Sequence, residues 1–448
     1  MEEPEVEMEE EEERFRESEE EEEIQVTLVG ETPPSNSPPS MLLSVIYDGK
    51  SGKALAKLYD FVNDKIYFWY DNTGGHRSYL LTDIPPREII AKHKEIIGHK
   101  GFSHMEVVKK FDPLELKEKT FTKIYAKDPL SIGGRGNSIR ERLQRTWEAK
   151  IKYHLSYMFD RGGLVPGMFY RVENGRLVQV ETAIPDEILK QGQLIYKDDK
   201  EFLAAFNEWL PLFQTPVPDL KRVAIDIEVF TPEENKIPNP KEAPYEIIAI
   251  GLAGSDGLRR VLVLRRKDMG GLNDGDLNQF MSNDVEVMFF DSERELLKEF
   301  FKEMLMYPIV ITFNGDNFDF TYIYNRALKL GGFQKEEIPI VLTMNGEAKY
   351  ILGIHIDLYK FFNSRAIETY AFNGKYKGGE KSLDIIASSL LGISKVAREK
   401  PISEMNYVEL VNYNFRDALL TLHLTTYNNN LVMKLIVLMA RISKTPHR

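Results

Sequence analysis

The chain has 448 residues, 42% hydrophobic and 29% charged, long enough for two or three domains with a sizeable core. It has no cysteine, which excludes disulfides, thiolate nucleophiles and Cys-ligated zinc together. The net charge of −12 is concentrated at one end: residues 1–24 hold fifteen Glu against Arg14 and Arg16, about −13, leaving the rest near +1 and nucleic-acid binding open.

An acidic N-terminus is not the basic start of a signal peptide. The best apolar run, residues 431–442, is cut by Lys434 and falls short of the ~18 residues that span a bilayer. A cytoplasmic protein without a membrane partner is the expectation. A run of like charge as dense as residues 1–24 repels itself and buries nothing, so residues 1–40 are predicted to form a disordered acidic tail. Its end, Glu31-Thr32-Pro33-Pro34-Ser35-Asn36-Ser37-Pro38-Pro39-Ser40, reads as a Pro/Ser linker. Gln25-Val26-Thr27-Leu28 has the Gln-x-x-Leu start of a sliding-clamp-binding peptide but lacks its aromatic pair. Order is expected from Met41.

Residues 42–48, 54–61 and 65–70 are rich in Val, Ile, Leu and Tyr and separated by turn residues, the pattern of an antiparallel meander. A helix is predicted over 138–157, behind the loop Gly133-Gly134-Arg135-Gly136-Asn137. Arg140, Arg142 and Arg145 there would touch phosphates or line a solvated face. Residues 41–215 are assigned to this first, β-rich α+β domain. A second domain, 216–430, opens with strands 222–229, 246–253 and 260–264. Ser292 caps a helix over 293–305, strand 309–313 follows, and a helix over 319–330 stops at Gly331-Gly332. Strand 354–358 and helical stretches 383–391 and 407–441 complete it, with 431–448 a helix leading onward. Strands first and then alternating helix and strand imply a mixed α/β sheet flanked by helices.

Three elements carry chemistry. In Val223-Ala224-Ile225-Asp226-Ile227-Glu228-Val229 the strand alternation sends the apolar side chains one way. Asp226 and Glu228 go the other way, ~7 Å apart by strand rise. Two neighbouring carboxylates resist joint ionisation unless a cation lies between them; alone, the pair equally suits a wet edge strand. In Thr312-Phe313-Asn314-Gly315-Asp316-Asn317-Phe318-Asp319 a strand turns on Asn-Gly into a helix, where α/β sheets place sites. Asp319 stands at the helix start, with Asp316 as its competitor. In Tyr413-Asn414-Phe415-Arg416-Asp417 the phenol and the carboxylate are i and i+4 on one helix face.

Together these elements resemble the DEDDy group of proofreading exonucleases, with a ribonuclease-H-like fold. The stretches "VAIDIEVF", "ITFNGDNFDF" and "YNFRDA" resemble the three exonuclease motifs of family B DNA polymerases. "HIDLYKFF", "SLDIIASSLLG" and the preceding meander resemble archaeal members, over residues 41–443. Val229 departs from the hydroxyl residue common there. No Ser-Leu-Tyr-Pro-Ser-like or Asp-Thr-Asp element is found, so the chain is expected to be the N-terminal and exonuclease part of a replicative polymerase, a fragment or one piece of a split enzyme.

The resemblance implies metal-dependent 3′→5′ hydrolysis of DNA for proofreading. Two Mg²⁺ or Mn²⁺ ions would be held by Asp226, Glu228, Asp319 and Asp417, with Tyr413 orienting the attacking water. Asn314 and Phe318 would contact the terminal nucleotides, although Phe318 equally suits helix packing. Tyr47 and Tyr79 fall near a template-base pocket of archaeal members, with Ser78 where Pro is usual; strand packing is their other role. The implied partners are a single-stranded 3′ end, primer-template DNA, the C-terminal polymerase part and a sliding clamp. Two alternatives stand beside this reading: a non-catalytic DNA-binding module serving a polymerase subunit, and a nuclease acting on RNA.

Overall fold

In the computed structural model the described residues are 30–444, apart from 113–114, 135, 162, 233–236, 267–283, 344–345, 380 and 394–400. The acidic run, Gln25–Leu28 and the last four residues lie outside them.

The predicted meander is present as β1 (Ser40–Asp48), β2 (Lys53–Asp60) and β3 (Lys65–Tyr70). It pairs antiparallel in register Val45↔Ala56 and Lys57↔Phe68. Two later strands, β7 (Phe169–Glu173) and β8 (Arg176–Gln179), extend this sheet to the order β3-β2-β1-β7-β8. A second sheet, β4-β6-β5, joins β4 (Tyr79–Thr82) to a long hairpin of β5 (Phe102–Asp112) and β6 (Lys117–Ala126). This hairpin carries many Lys and Glu and is solvated toward its tip, which blurs the apolar alternation that announces a strand. Short helices α1 (Pro86–Lys92), α2 (Lys94–Ile97) and α3 (Pro129–Gly133) flank it.

Two expectations are corrected here. The Pro/Ser stretch is laid onto the first sheet rather than free of it. Phe68 N–H donates to Glu31 O at 2.9 Å, Gly175 N–H to Ser35 O at 2.9 Å, and Ser37 N–H to Val172 O at 2.9 Å. Proline already favours extended backbone, so this segment covers sheet edges at little entropic cost. The helix predicted over 138–157 is broken. One 3₁₀ turn forms at Arg140–Arg142, and α4 spans Tyr153–Asp160. Between them Trp147 and Leu81 exchange backbone hydrogen bonds of 2.9 and 2.8 Å, and Glu148 takes φ 58°, which no helix accepts. Arg142 donates to Glu95 O and Arg145 to Asp83, so these cations serve the protein's own acceptors.

Helices α5 (Asp186–Ile195) and α6 (Lys200–Gln214) lead to the second sheet system. Strands β9 (Arg222–Val229), β10 (Ile247–Gly254) and β11 (Arg259–Leu264) form the expected antiparallel succession. An unforeseen β12 (Glu286–Phe290) adds parallel to β11. On the other side β13 (Ile309–Thr312) and β16 (Ile354–Asp357) run parallel to β9, giving the order β12-β11-β10-β9-β13-β16. This is the mixed sheet expected. β9 is central, not an edge, and its apolar residues Val223, Ile225, Ile227 and Val229 are buried.

Helix α7 (Glu293–Met304) is capped by Ser292, whose hydroxyl accepts from Glu295 N–H, as its sequence requires. Helix α8 (Asp319–Leu330) follows β13, and the small hairpin of β14 (Ile340–Leu342) and β15 (Ala348–Tyr350) precedes β16. Helix α9 (Leu358–Asn363) leaves β16, and α10 (Leu383–Leu391) packs on α11 (Tyr407–Ser443). The first part of α11 lies across β9 and β10. The predicted continuous stretch 407–441 is interrupted at Tyr427–Asn430, where Asn428, Asn429 and Asn430 take φ of 45°, 57° and 60°. Asn tolerates this left-handed backbone best among non-glycine residues. Among the described residues no helix is long and apolar enough to cross a membrane.

Candidate active site

β13 pairs with β9 only through Arg222, Val223 and Ala224, so the half of β9 bearing Asp226 and Glu228 projects past its parallel neighbour. There a backbone donor loses its ladder partner. Ile227 N–H is taken instead by Asp319 Oδ1 at 3.2 Å, which docks the first turn of α8 against β9. The turn that delivers Asp319 is built for tightness. Asn314 sits at φ 69°, and a Cβ on Gly315 would stand 2.2 Å from Thr312 Oγ1, so only glycine fits. Asp357 holds this turn from the end of β16. Its carboxylate accepts from Asn314 N–H at 2.7 Å, Asp316 N–H at 3.2 Å and Tyr359 N–H at 3.0 Å.

Asp316 and Asp319 have different partners. Asp316 accepts from Ala348 N–H at 2.7 Å and pairs with Lys360 at 2.7 Å. Asp319 is buried beside Asp226.

From the opposite face α11 contributes Asn414, which is fully buried. Its Nδ2 donates to both the backbone O (3.0 Å) and Oδ2 (2.8 Å) of Asp226. Helix and sheet approach this closely because Gly251 pairs with Asp226 across β10 and β9. A Cβ there would meet Asn414 Oδ1 at 2.9 Å and Asn414 O at 3.1 Å. One turn along, Asp417 forms an ion pair with Arg416 at 3.0 Å, and Arg416 also reaches Asp384 at 2.8 Å. Tyr413, one turn before Asp417, is half-buried against the core.

Electrostatics tie the four acids together. Burial, then the charges of Glu228, Asp319 and Asp417, hold the Asp226 carboxyl well above the usual carboxylate range, against the lowering effect of the Asn414 hydrogen bond. Burial pushes Asp319 up to about 7, opposed by hydrogen bonds from Ile227 N–H and its own N–H. A cluster of carboxyls that resist ionisation is stabilised by a cation, and an all-oxygen donor set suits a hard divalent ion such as Mg²⁺ or Mn²⁺. Among the described residues no three His, Cys, Asp or Glu side chains stand close enough to hold an ion by themselves. An ion here would take much of its shell from water or phosphate oxygens.

The remaining expected residues divide. Asn314 and Phe318 lie on the turn beside Asp319, Asn314 accepting from Asn317 Nδ2 at 2.7 Å and Phe318 packing on Tyr322 at 5.6 Å between ring centroids. Tyr47 and Tyr79, expected near a separate template-base pocket, lie in the first domain. Tyr47 is buried against Tyr153, and Tyr79 lies under the Lys123 ammonium, 3.6 Å from the ring centre. Three residues were not anticipated: Asp357, Asn414 and Gly251. Only Asp357 had a signal, an Asp between a strand and an apolar helical run, the position of a cap.

Residues 144–374 match the model of the exonuclease domain of DNA polymerase family B, a span that contains Asp226, Glu228 and Asp319. The chain is 48% identical over 404 residues to DNA polymerase 1 of Saccharolobus solfataricus and 45% identical over 405 to that of Sulfolobus acidocaldarius. Each match covers 90% of this chain and 44% of the relative, so the chain spans under half the length of these proteins. The family B DNA polymerase of Pyrobaculum calidifontis has the same fold over 91% of this chain and 47% of its own, with a TM-score of 0.63 at 16% identity. With about half of its residues in that match, and archaeal polymerases among its relatives, this chain belongs to DNA polymerase family B and carries its exonuclease domain.

Proposed function

We propose that this chain is a 3′→5′ exodeoxyribonuclease, ribonuclease-H-like in its catalytic sheet, that trims single-stranded DNA 3′ ends as the proofreading part of a polymerase. The observation that carries it is the crowding of Asp226 by Glu228, Asp319 and Asp417, from β9, α8 and α11. Asp226, Glu228, Asp319 and Asp417 would hold two divalent ions. When bound, such a pair of ions activates water and neutralises charge on the leaving 3′ oxygen. Tyr413 orients the attacking water, and Asn314 and Phe318 hold the terminal nucleotides, Phe318 by stacking. DNA synthesis would reside in polypeptide equivalent to the unmatched part of the relatives, with primer-template DNA and a sliding clamp as shared partners in the cytoplasm.

The test is digestion of 5′-labelled single-stranded DNA. Mg²⁺-dependent shortening from the 3′ end, stopped by EDTA and lost in Asp226→Ala, is expected. Digestion by Asp226→Ala at the wild-type rate would sink the proposal. Degradation of matched RNA but not of DNA would sink the substrate assignment alone.

A further inference from the structure

We propose that Asn414 is a positioning residue that fixes the Asp226 carboxylate for metal binding, an inference that rests on the function proposed above. Its amide makes a two-point clamp on a single residue. The two N–H bonds of Nδ2 go to Asp226 O at 3.0 Å and Asp226 Oδ2 at 2.8 Å, so the side-chain rotamer of Asp226 is tied to its own backbone. Oδ1 of Asp226 is outside this clamp. The amide orientation follows from its partners, because exchanging its oxygen and nitrogen would set an acceptor against two acceptors.

The other half of the amide argues against a purely structural role. Asn414 Oδ1 is buried and has no hydrogen-bond partner, facing the backbone at Gly251. An amide that served packing alone would gain nothing from a stranded buried acceptor, so the donors on Nδ2 are what this side chain supplies. What the asparagine supplies and leucine does not is a neutral donor to the most crowded carboxylate in the cluster. A neutral donor orients that carboxylate without neutralising it, which leaves its charge for a cation. Outer-shell partners of this kind typically change metal affinity 10- to 100-fold.

The test is calorimetric Mn²⁺ titration of the whole chain as wild type, Asp226→Ala, Asn414→Leu and Asn414→Ser, with metal-free thermal melting of each. Wild type should bind Mn²⁺ in a way that Asp226→Ala abolishes. Asn414→Leu should raise the Mn²⁺ dissociation constant about 10-fold or more. Asn414→Ser loses the same reach and covers the case in which leucine does not fold. Wild-type Mn²⁺ affinity in either folded variant overturns the inference and leaves the exonuclease reading standing. Failure of both to fold makes Asn414 a packing residue and overturns it too. Mn²⁺ binding indifferent to Asp226→Ala overturns the site itself, and this inference with it.

Discussion

Asp319 is a carboxyl that the fold holds against ionisation, with a value of about 7 in the folded chain against about 4 unfolded. Between these values the folded state binds the extra proton. Without metal, stability therefore falls as pH rises through that window and levels off above it. Thermal melting in EDTA from pH 4.5 to 8 should show the fall, and Asp319→Asn should flatten it; an equal slope in both would contradict the assignment. Added Mn²⁺ should raise the melting temperature more at pH 8 than at pH 5, because the ligands bind it deprotonated. Tyr413→Phe should leave Mn²⁺ affinity unchanged and slow DNA hydrolysis by about 10- to 100-fold, as expected for loss of a group that positions the water. The four acids and the tyrosine are proposed from motifs that resemble a family, which a sequence can display. Asn414 was not legible, since nothing in a helical sequence says which side chain will meet a glycine across a sheet.

At the level of elements, the site depends on how closely α11 lies over β10. Gly251→Ala would put a methyl group 3.1 Å from the Asn414 carbonyl oxygen, which a side-chain shift does not relieve. Overpacking of this kind costs about 1–3 kcal/mol, and the displaced helix should lower nuclease activity as well. Unchanged melting and activity would show that the contact is looser than described. A second junction joins α7, α8 and β10. Glu293 accepts from Arg326 Nη2 at 2.7 Å and from Ile247 N–H at 2.8 Å, with both side chains buried. Arg326→Ala leaves that carboxylate buried and unpaired, a loss of about 3–5 kcal/mol, to be read by denaturant unfolding. The strands and helices of this region were readable where apolar periodicity was strong. The helix expected over 138–157 failed because a tertiary pairing, Trp147 with Leu81, outweighed local propensity.

Across the whole molecule, the first sheet is tied to the catalytic half by a buried lysine. Lys57 on β2 donates to Tyr350 O at 3.3 Å, at the end of β15, and to Gly353 O at 3.1 Å just after it. Burial, then the nearby Lys349 charge, lowers its value to about 7 from 10.5. Here the unfolded state binds the extra proton between these values, so this contribution to stability rises with pH from about 7 to about 10.5. Lys57→Met should remove that rise from the melting profile, and an identical profile would place Lys57 outside the junction. No sequence pattern announced this contact, because a Lys in an alternating strand reads as a solvated residue. The central claim remains that acids far apart in the chain gather two divalent ions. Anomalous diffraction from crystals soaked in Mn²⁺ tests it most directly. Two peaks about 4 Å apart, bounded by Asp226, Glu228, Asp319 and Asp417, are predicted; peaks elsewhere, or none at this cluster, would contradict it.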